Sequence, residues 1–272
     1  MSDISSEGIS LSVDDPVALI RLERPERLNA LTPPMLRAFR RAVDSAAADP
    51  AVVGIVVTGA GRGFCSGLDA AVLEETTSRA EQARSSMDTG ARRGDLPGLF
   101  SYLLAVPKPV VAAVNGVAAG GGLVLAAACD VRFAGPDASF TTIFLQRGLV
   151  AEHGTSWLLP RLLGPGRALD LLWTSRRIDA VAAERCGLVE HLVDGDVVAA
   201  ACDYVRRLAE VASPEAMAAT KRMVYDHLGL GLADALRDAD DTAWAAVAGP
   251  DAAEGARALL DRRPARFGRL GA

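Results

Sequence analysis

Pro107-Lys108-Pro109-Val110-Val111-Ala112-Ala113-Val114-Asn115-Gly116, running on through Gly120-Gly121-Gly122 to Cys129-Asp130, is the stretch on which the fold turns. Its apolar run Val110–Val114 reads as a strand buried on both faces. Asn115-Gly116 is a turn signal, and three successive glycines make a poor helix interior, so they open a helix that reaches about Ala128. From Val110 to Cys129 the only strongly polar residue is Asn115, and the stretch is about long enough to span a bilayer. The turn and the glycines argue instead for strand, tight loop and buried helix, with no membrane span.

The flanking sequence repeats this alternation. Ile9, Leu11 and Val13, then Val17 to Leu22, read as a hairpin turning at Asp14-Asp15-Pro16. Thr32-Pro33-Pro34 is an N-cap with prolines in the first turn, opening a helix that carries Met35, Leu36, Phe39 and Val43 on one face. Val52–Val57 is another buried strand. A glycine-rich loop, Gly59 to Asp69, follows it, and Asp69 caps a short helix through Leu73. Residues 74–95 are polar and read as a surface segment. Leu96 to Val106 reads as a helix stopped by Pro107, Val131–Ala134 as a strand, Trp157–Leu163 and Gly166–Trp173 as helices, and Leu188–Val193 as a last strand. Everything from Asp196 onward reads as helical. The expectation is an α/β core over residues 1–195 and an α-helical region over residues 196–272.

Composition narrows the function. The chain has 272 residues, of which 50% are hydrophobic and 5% aromatic, so a large core filled by small residues is expected. The formal net charge of −5 offers no basic footprint for nucleic acid. Four cysteines, at 65, 129, 186 and 202, show no metal or redox spacing and read as reduced thiols of a cytoplasmic protein. The three histidines, His153, His191 and His227, are too scattered for a metal site. Met1 to Gly8 is polar and acidic, unlike a secretory leader.

The loop 59–69 fails three nucleotide and nucleophile patterns. Phe64 stands where a dinucleotide fingerprint needs its last glycine, no Gly-Lys-Ser/Thr is present, and Ser66 lacks glycines two residues to either side. What remains is a pair of glycine-rich turns, each after a buried strand and before a helix. Such turns either serve tight geometry alone or aim two backbone N–H groups at one oxyanion. Glu152-His153 precedes a helix, where an acid either complements the helix dipole or does chemistry.

Arg24-Pro25-Glu26-Arg27-Leu28-Asn29-Ala30-Leu31, Gly63-Phe64-Cys65-Ser66-Gly67-Leu68-Asp69, the Pro107–Asp130 stretch, Gly148-Leu149-Val150 and Ser156-Trp157-Leu158-Leu159-Pro160-Arg161 together resemble the crotonase family of enoyl-CoA hydratases and isomerases. The resemblance implies an α/β spiral of repeated ββα units with a C-terminal helical region for trimerisation, as homotrimer or hexamer. It implies an acyl-CoA substrate with no separate cofactor, coenzyme A being part of that substrate; the acidic balance, the scattered histidines and the glycine turns argue on their own against a nucleic-acid partner, a metal and a membrane. By similarity the amides of Ser66 and Gly121 form the oxyanion hole. Arg24, Arg27, Leu28, Ser66, Gly67, Leu68, Asp69 and Gly121 are expected to line the coenzyme A and thioester site. Lys221 is a further cation of the C-terminal region; for all three cations, solvated surface charge is the alternative. Arg79, Arg84, Arg92 and Arg93 belong to a segment that could form a lid.

The departures from the family pattern are chemical. Its hydratases carry two glutamates that handle water, and here Val124 and Phe144 stand at those positions, so both are expected in the acyl pocket. Several isomerases of the family place an acid in the loop after Gly-Leu-Val, where this chain has Glu152. The resemblance therefore implies double-bond isomerisation with Glu152 as acid/base. Hydration and a non-catalytic acyl-CoA-binding protein stand as alternatives, and His153 would orient Glu152 or face solvent.

Overall fold

The computed structural model describes residues 4–78 and 96–271. Polar–apolar alternation at the start of the chain makes an antiparallel meander of β1 (Ile4–Ser6), β2 (Ile9–Asp14) and β3 (Val17–Leu22). The helix α1 (Pro33–Ala48) begins as its sequence predicts. The Thr32 hydroxyl accepts the Met35 amide at 3.4 Å, and the prolines occupy the first turn. Its apolar face buries Met35, Leu36, Phe39 and Val43, with the Phe39 ring edge-on to Phe100 at 5.6 Å.

One unit then recurs. β4 (Gly54–Gly59) leads to β5 (Gly63–Cys65) and α2 (Ala70–Ser78). β6 (Val110–Val114) leads to β7 (Val117–Ala119) and α3 (Gly121–Ala128). β8 (Val131–Ala134) leads to β9 (Ser139–Thr141), a 3-10 turn at Leu145–Arg147 and α4 (Thr155–Leu163). The chain continues through α5 (Pro165–Thr174), β10 (Ile178–Asp179), α6 (Ala180–Cys186) and β11 (His191–Leu192). It closes with α7 (Val197–Val211), α8 (Pro214–His227), α9 (Leu232–Val247) and α10 (Pro250–Asp261). The first strand of each unit joins a large sheet of order β1-β2-β3-β4-β6-β8-β11, and the second joins a small sheet of order β10-β9-β7-β5. Neighbours from β3 to β11 run parallel, as do β5, β7 and β9. This is the expected spiral of ββα units.

The apolar runs of β4 and β6 are explained by cover on both faces, since every residue of each is buried. One face packs into the main core with α1 and α3. The other takes Val197, Ala201 and Val205 of α7 against Val17, Val56, Val111, Ala113 and Phe133. The first helix past residue 195 is therefore a wall of the core. No helix among the described residues is long and apolar enough to cross a membrane.

Three local expectations change. Leu96–Val106 is not an α-helix but a 3-10 turn at Ser101–Ala105, because Gly98 sits at φ +130° and Val106 is held extended ahead of Pro107. The last strand shrinks to His191–Leu192, and the short helix after Asp69 runs on to Ser78. The small sheet has no counterpart in the sequence reading. Its strands are two or three residues long, and two of them, β5 and β7, lie inside glycine-rich turns, too short for a period of two to show.

Buried polar groups tie the pieces together. Asn29, wholly buried, donates to the Ala60 and Gly63 carbonyls and accepts the Arg24 amide. Asn115 donates to Gly61 and Gly63 and accepts from Gly59 and Thr58. Lys221 of α8 donates to Asp130 at 2.7 Å and to the carbonyls of Leu103 and Lys108, while Tyr225 donates to the other Asp130 oxygen. Removing Lys221 leaves a mostly buried carboxylate without its cation. Lys221→Met should lower unfolding free energy by about 3 kcal/mol or more, read from the denaturant midpoint. Arg222→Met, an exposed ion-pair change one residue along the same helix, should cost about 1 kcal/mol or less.

Candidate active site

The ends of β5 and β7 lie side by side, and glycines let them approach. A Cβ added to Gly122 would sit 2.0 Å from the Cys65 carbonyl oxygen, and one on Gly67 would sit 2.8 Å from that of Ala119. Gly67 also needs its left-handed backbone, φ +94°. The Leu31 amide donates to the Gly67 carbonyl at 2.7 Å, and the Asp69 amide donates to the Leu31 carbonyl at 2.9 Å. Two groups that both face Leu31 leave the Leu68 amide between them facing the other way, toward α3. It has no acceptor among the described residues, and its nitrogen lies 3.8 Å from the ideal Cβ position of Gly121. Gly121 opens α3, where first-turn amides have no partner inside the helix and carry its positive dipole end.

This corrects one expectation. The Ser66 amide donates to the Leu28 carbonyl at 3.0 Å, and its hydroxyl donates to Arg27. Ser66 is therefore a brace of the turn, and the free donor opposite Gly121 is Leu68. A readable signal for this is Gly67. A glycine at positive φ swings the next peptide out, so the residue after it presents the N–H.

Both amides open on a cleft of about 370 Å³, walled by Leu73, Leu99, Ile143, Phe144 and Leu149, with Arg147, Glu152 and His153 at its polar end. Phe144 is placed by the preceding segment, where Thr141 and Thr142 donate to the Ser175 and Leu171 carbonyls of the α5 end. Val124, expected beside it, is only 1% exposed and packs in the core without lining the cleft. It lies one turn into α3, and its short side chain stays beneath the floor. Among the described residues, Glu152 is the one carboxylate that lines the cleft. Its carbonyl accepts both the amide and the hydroxyl of Thr155, which fixes the turn ahead of α4. His153 Nε2 stands 3.5 Å from a Glu152 carboxylate oxygen.

The expected cations separate. Arg24 donates to the Ala30 carbonyl at 2.7 Å and to Asp69 at 3.2 Å, so its charge is engaged within the loop. Asp69 in turn accepts the Ala71 amide at the start of α2, and that bond together with Arg24 holds its carboxyl below the usual carboxylate range. Lys221 is bound to Asp130 away from the cleft, as described above. Arg27 is exposed beside Ser66, with no side-chain partner among the described residues. Leu28 takes a left-handed backbone, φ +49°, and supplies the carbonyl that Ser66 uses. Arg79, Arg84, Arg92 and Arg93 lie outside the described residues. Cys65 and Cys129 are wholly buried, which pushes both thiols up to about 12 and leaves them no nucleophilic role. No cluster of three metal-ligating side chains occurs among the described residues. The walls Leu73, Leu99, Ile143 and Leu149, and Arg147, were not read from sequence, because ordinary aliphatics and a loop arginine carry no local signal.

The known proteins similar to this chain share its whole layout. A family model described as enoyl-CoA hydratase/isomerase matches residues 13–269. A relative from Thermus thermophilus is 37% identical, over 92% of this chain and 97% of its own. A crotonyl-CoA hydratase of Syntrophomonas wolfei is 32% identical, over 96% of this chain and 98% of its own. The crystal structure of an enoyl-CoA hydratase from Bacillus anthracis superposes with a TM-score of 0.86 at 28% identity, covering 98% of this chain and 100% of that one. A repeated ββα spiral, a family match along nearly the full length and relatives covered end to end lead to one conclusion: the chain belongs to the enoyl-CoA hydratase/isomerase (crotonase) family of enzymes.

Proposed function

We propose that this enzyme is an enoyl-CoA isomerase that moves a double bond from C3 to C2 of an acyl-CoA thioester. The observation that carries the proposal is the single carboxylate of the cleft, Glu152, facing an aromatic wall where water-handling acids would otherwise stand. The thioester oxygen sits between the Leu68 and Gly121 amides. Glu152 removes a C2 proton, the electron pair of the broken C–H bond delocalises onto that oxygen as a dienolate, and the two amides stabilise the charge. Glu152 then returns a proton to C4, and the carbonyl re-forms. A donor at a developing oxyanion typically contributes about 2.7–4 kcal/mol, and a positioned base about 10²–10⁴ in rate. Coenzyme A is part of the substrate, and the chemistry asks for no further cofactor. Arg27, exposed and without a side-chain hydrogen-bond partner among the described residues, is a cation available to its phosphates.

Hydration of 2-enoyl-CoA is the second reading, favoured by relatives that carry that name. Against it stands the arithmetic of proton transfer. At the two positions from which the family's hydratases handle water, Val124 and Phe144 carry neither acid nor base.

We also propose that the enzyme assembles through its C-terminal helices as a trimer, or as a hexamer made of two trimers. Leu232, Trp244, Leu259 and Leu260 are 67–83% exposed on α9 and α10, an apolar surface unusual for a monomer. Sedimentation equilibrium should give three or six times the 28.3 kDa chain mass.

Glu152→Gln should reduce turnover of a 3-enoyl-CoA by at least about 10²-fold, with acyl-CoA affinity by calorimetry nearly unchanged. Full activity in that variant would end the proposal. Crotonyl-CoA incubated with high enzyme concentration should yield no 3-hydroxyacyl product; its formation at comparable rates would favour hydration instead. Gly67→Ala places a Cβ against the Ala119 carbonyl and the Gly121 amide, so it should lower kcat by about tenfold or more through displaced donors.

A further inference from the structure

We propose that His153 is the proton relay between Glu152 and solvent. This deepens the isomerase reading and rests on it. Among the described residues that line the cleft, Glu152 and His153 are the two side chains of a type that both takes up and releases protons, since the Arg147 guanidinium keeps its own. The two side chains come within 3.5 Å of each other, Nε2 to Oε1. Catalytic contacts in ligand-free enzymes are commonly longer than in the complex, so this separation suits a pair that closes on substrate. The side chains of His153 and Glu152 are 20% and 33% exposed, so both reach water until substrate fills the cleft.

The local backbone is built to hold this pair. His153 takes a left-handed conformation, φ +54°, uncommon among residues with side chains though histidine is one of the types that adopt it, and Gly154 follows at φ +86°. Thr155 anchors the Glu152 carbonyl from one side. On the other side Gly98 lies against the His153 backbone, its ideal Cβ position 3.6 Å from the His153 Cα and carbonyl carbon. Gly98 itself stands at φ +130°, a backbone that a residue with a side chain would adopt only under strain. The turn that carries both side chains is thus held by a bond within it and by the Gly98 backbone packed against it.

The relay balances as follows. Glu152 takes the C2 proton as the C–H bond breaks, and the electron pair goes to the thioester oxygen. The protonated carboxyl passes that proton to Nε2 of neutral His153, while Nδ1 releases one to water. The reverse transfer reloads Glu152 with a solvent proton, which it delivers to C4 as the dienolate collapses. No oxidant, reductant or co-reactant takes part. A carboxylate acting alone would instead carry the same proton from C2 to C4.

Turnover of unlabelled 3-enoyl-CoA in deuterium oxide separates the two routes, with deuterium at C4 of the 2-enoyl product read by mass spectrometry. Wild-type enzyme should place solvent deuterium at C4 in most product molecules. His153→Asn, chosen because asparagine accepts the left-handed backbone, should keep its thermal melting point while the deuterium fraction falls about tenfold and the substrate proton is retained. Added imidazole should restore exchange. A folded His153→Asn enzyme with an unchanged deuterium fraction overturns the relay, as does proton retention in the wild type. If the wild type forms no 2-enoyl product at all, the isomerase reading is what fails, and the relay falls with it.

Discussion

Main chain passes main chain at less than the width of a methyl group where the β5 turn meets the β7 turn. A Cβ on Gly122 would overlap the Cys65 carbonyl at 2.0 Å, and one on Gly116 would overlap Arg62 at 2.1 Å. Nothing larger than hydrogen fits. That approach lets β5 and β7 pair in parallel, sets the start of α3 directly behind the Leu68 turn, and brings two unpartnered amides to one cleft. Asn29 and Asn115 then satisfy the carbonyls that such tight loops would otherwise leave bare. Packing, hydrogen bonding and the electrophilic side of the site therefore share one origin.

Much of this fold was legible because its elements obey local rules. The Thr32 cap, the apolar face of α1 and the continuous runs of β4 and β6 each follow from a periodicity or a capping preference that burial does not override. The small sheet was not legible, since strands of two or three residues owe their existence to neighbours far along the chain. Leu96–Val106 misled for the opposite reason. Its composition favours helix, while Gly98, packed against His153, and Pro107 after it impose another path.

The site divides in the same way. Gly121 and Glu152 were expected from the family resemblance, and both line the cleft. The second donor could not be fixed to the right residue without tertiary pairing, because only the bond from Ser66 to Leu28 shows which of two adjacent amides is engaged. The cations followed burial as much as charge. Arg24 and Lys221 both look like phosphate handles on paper, and both are held by aspartates inside the fold. Val124 shows how depth within a short helix decides whether a position faces a ligand or the core.

The main-chain origin of the two donors has a consequence for substitution. A side-chain mutation can erase Glu152 in one step, but no single substitution deletes the N–H of Leu68 or Gly121, short of proline. On the proposed reading, the half of the site that meets negative charge is thus carried by the backbone path itself, while the half that moves protons rests on a side chain. On that reading, a substitution at 124, 144 or 152 changes the proton chemistry of the cleft and leaves both amides where the backbone puts them.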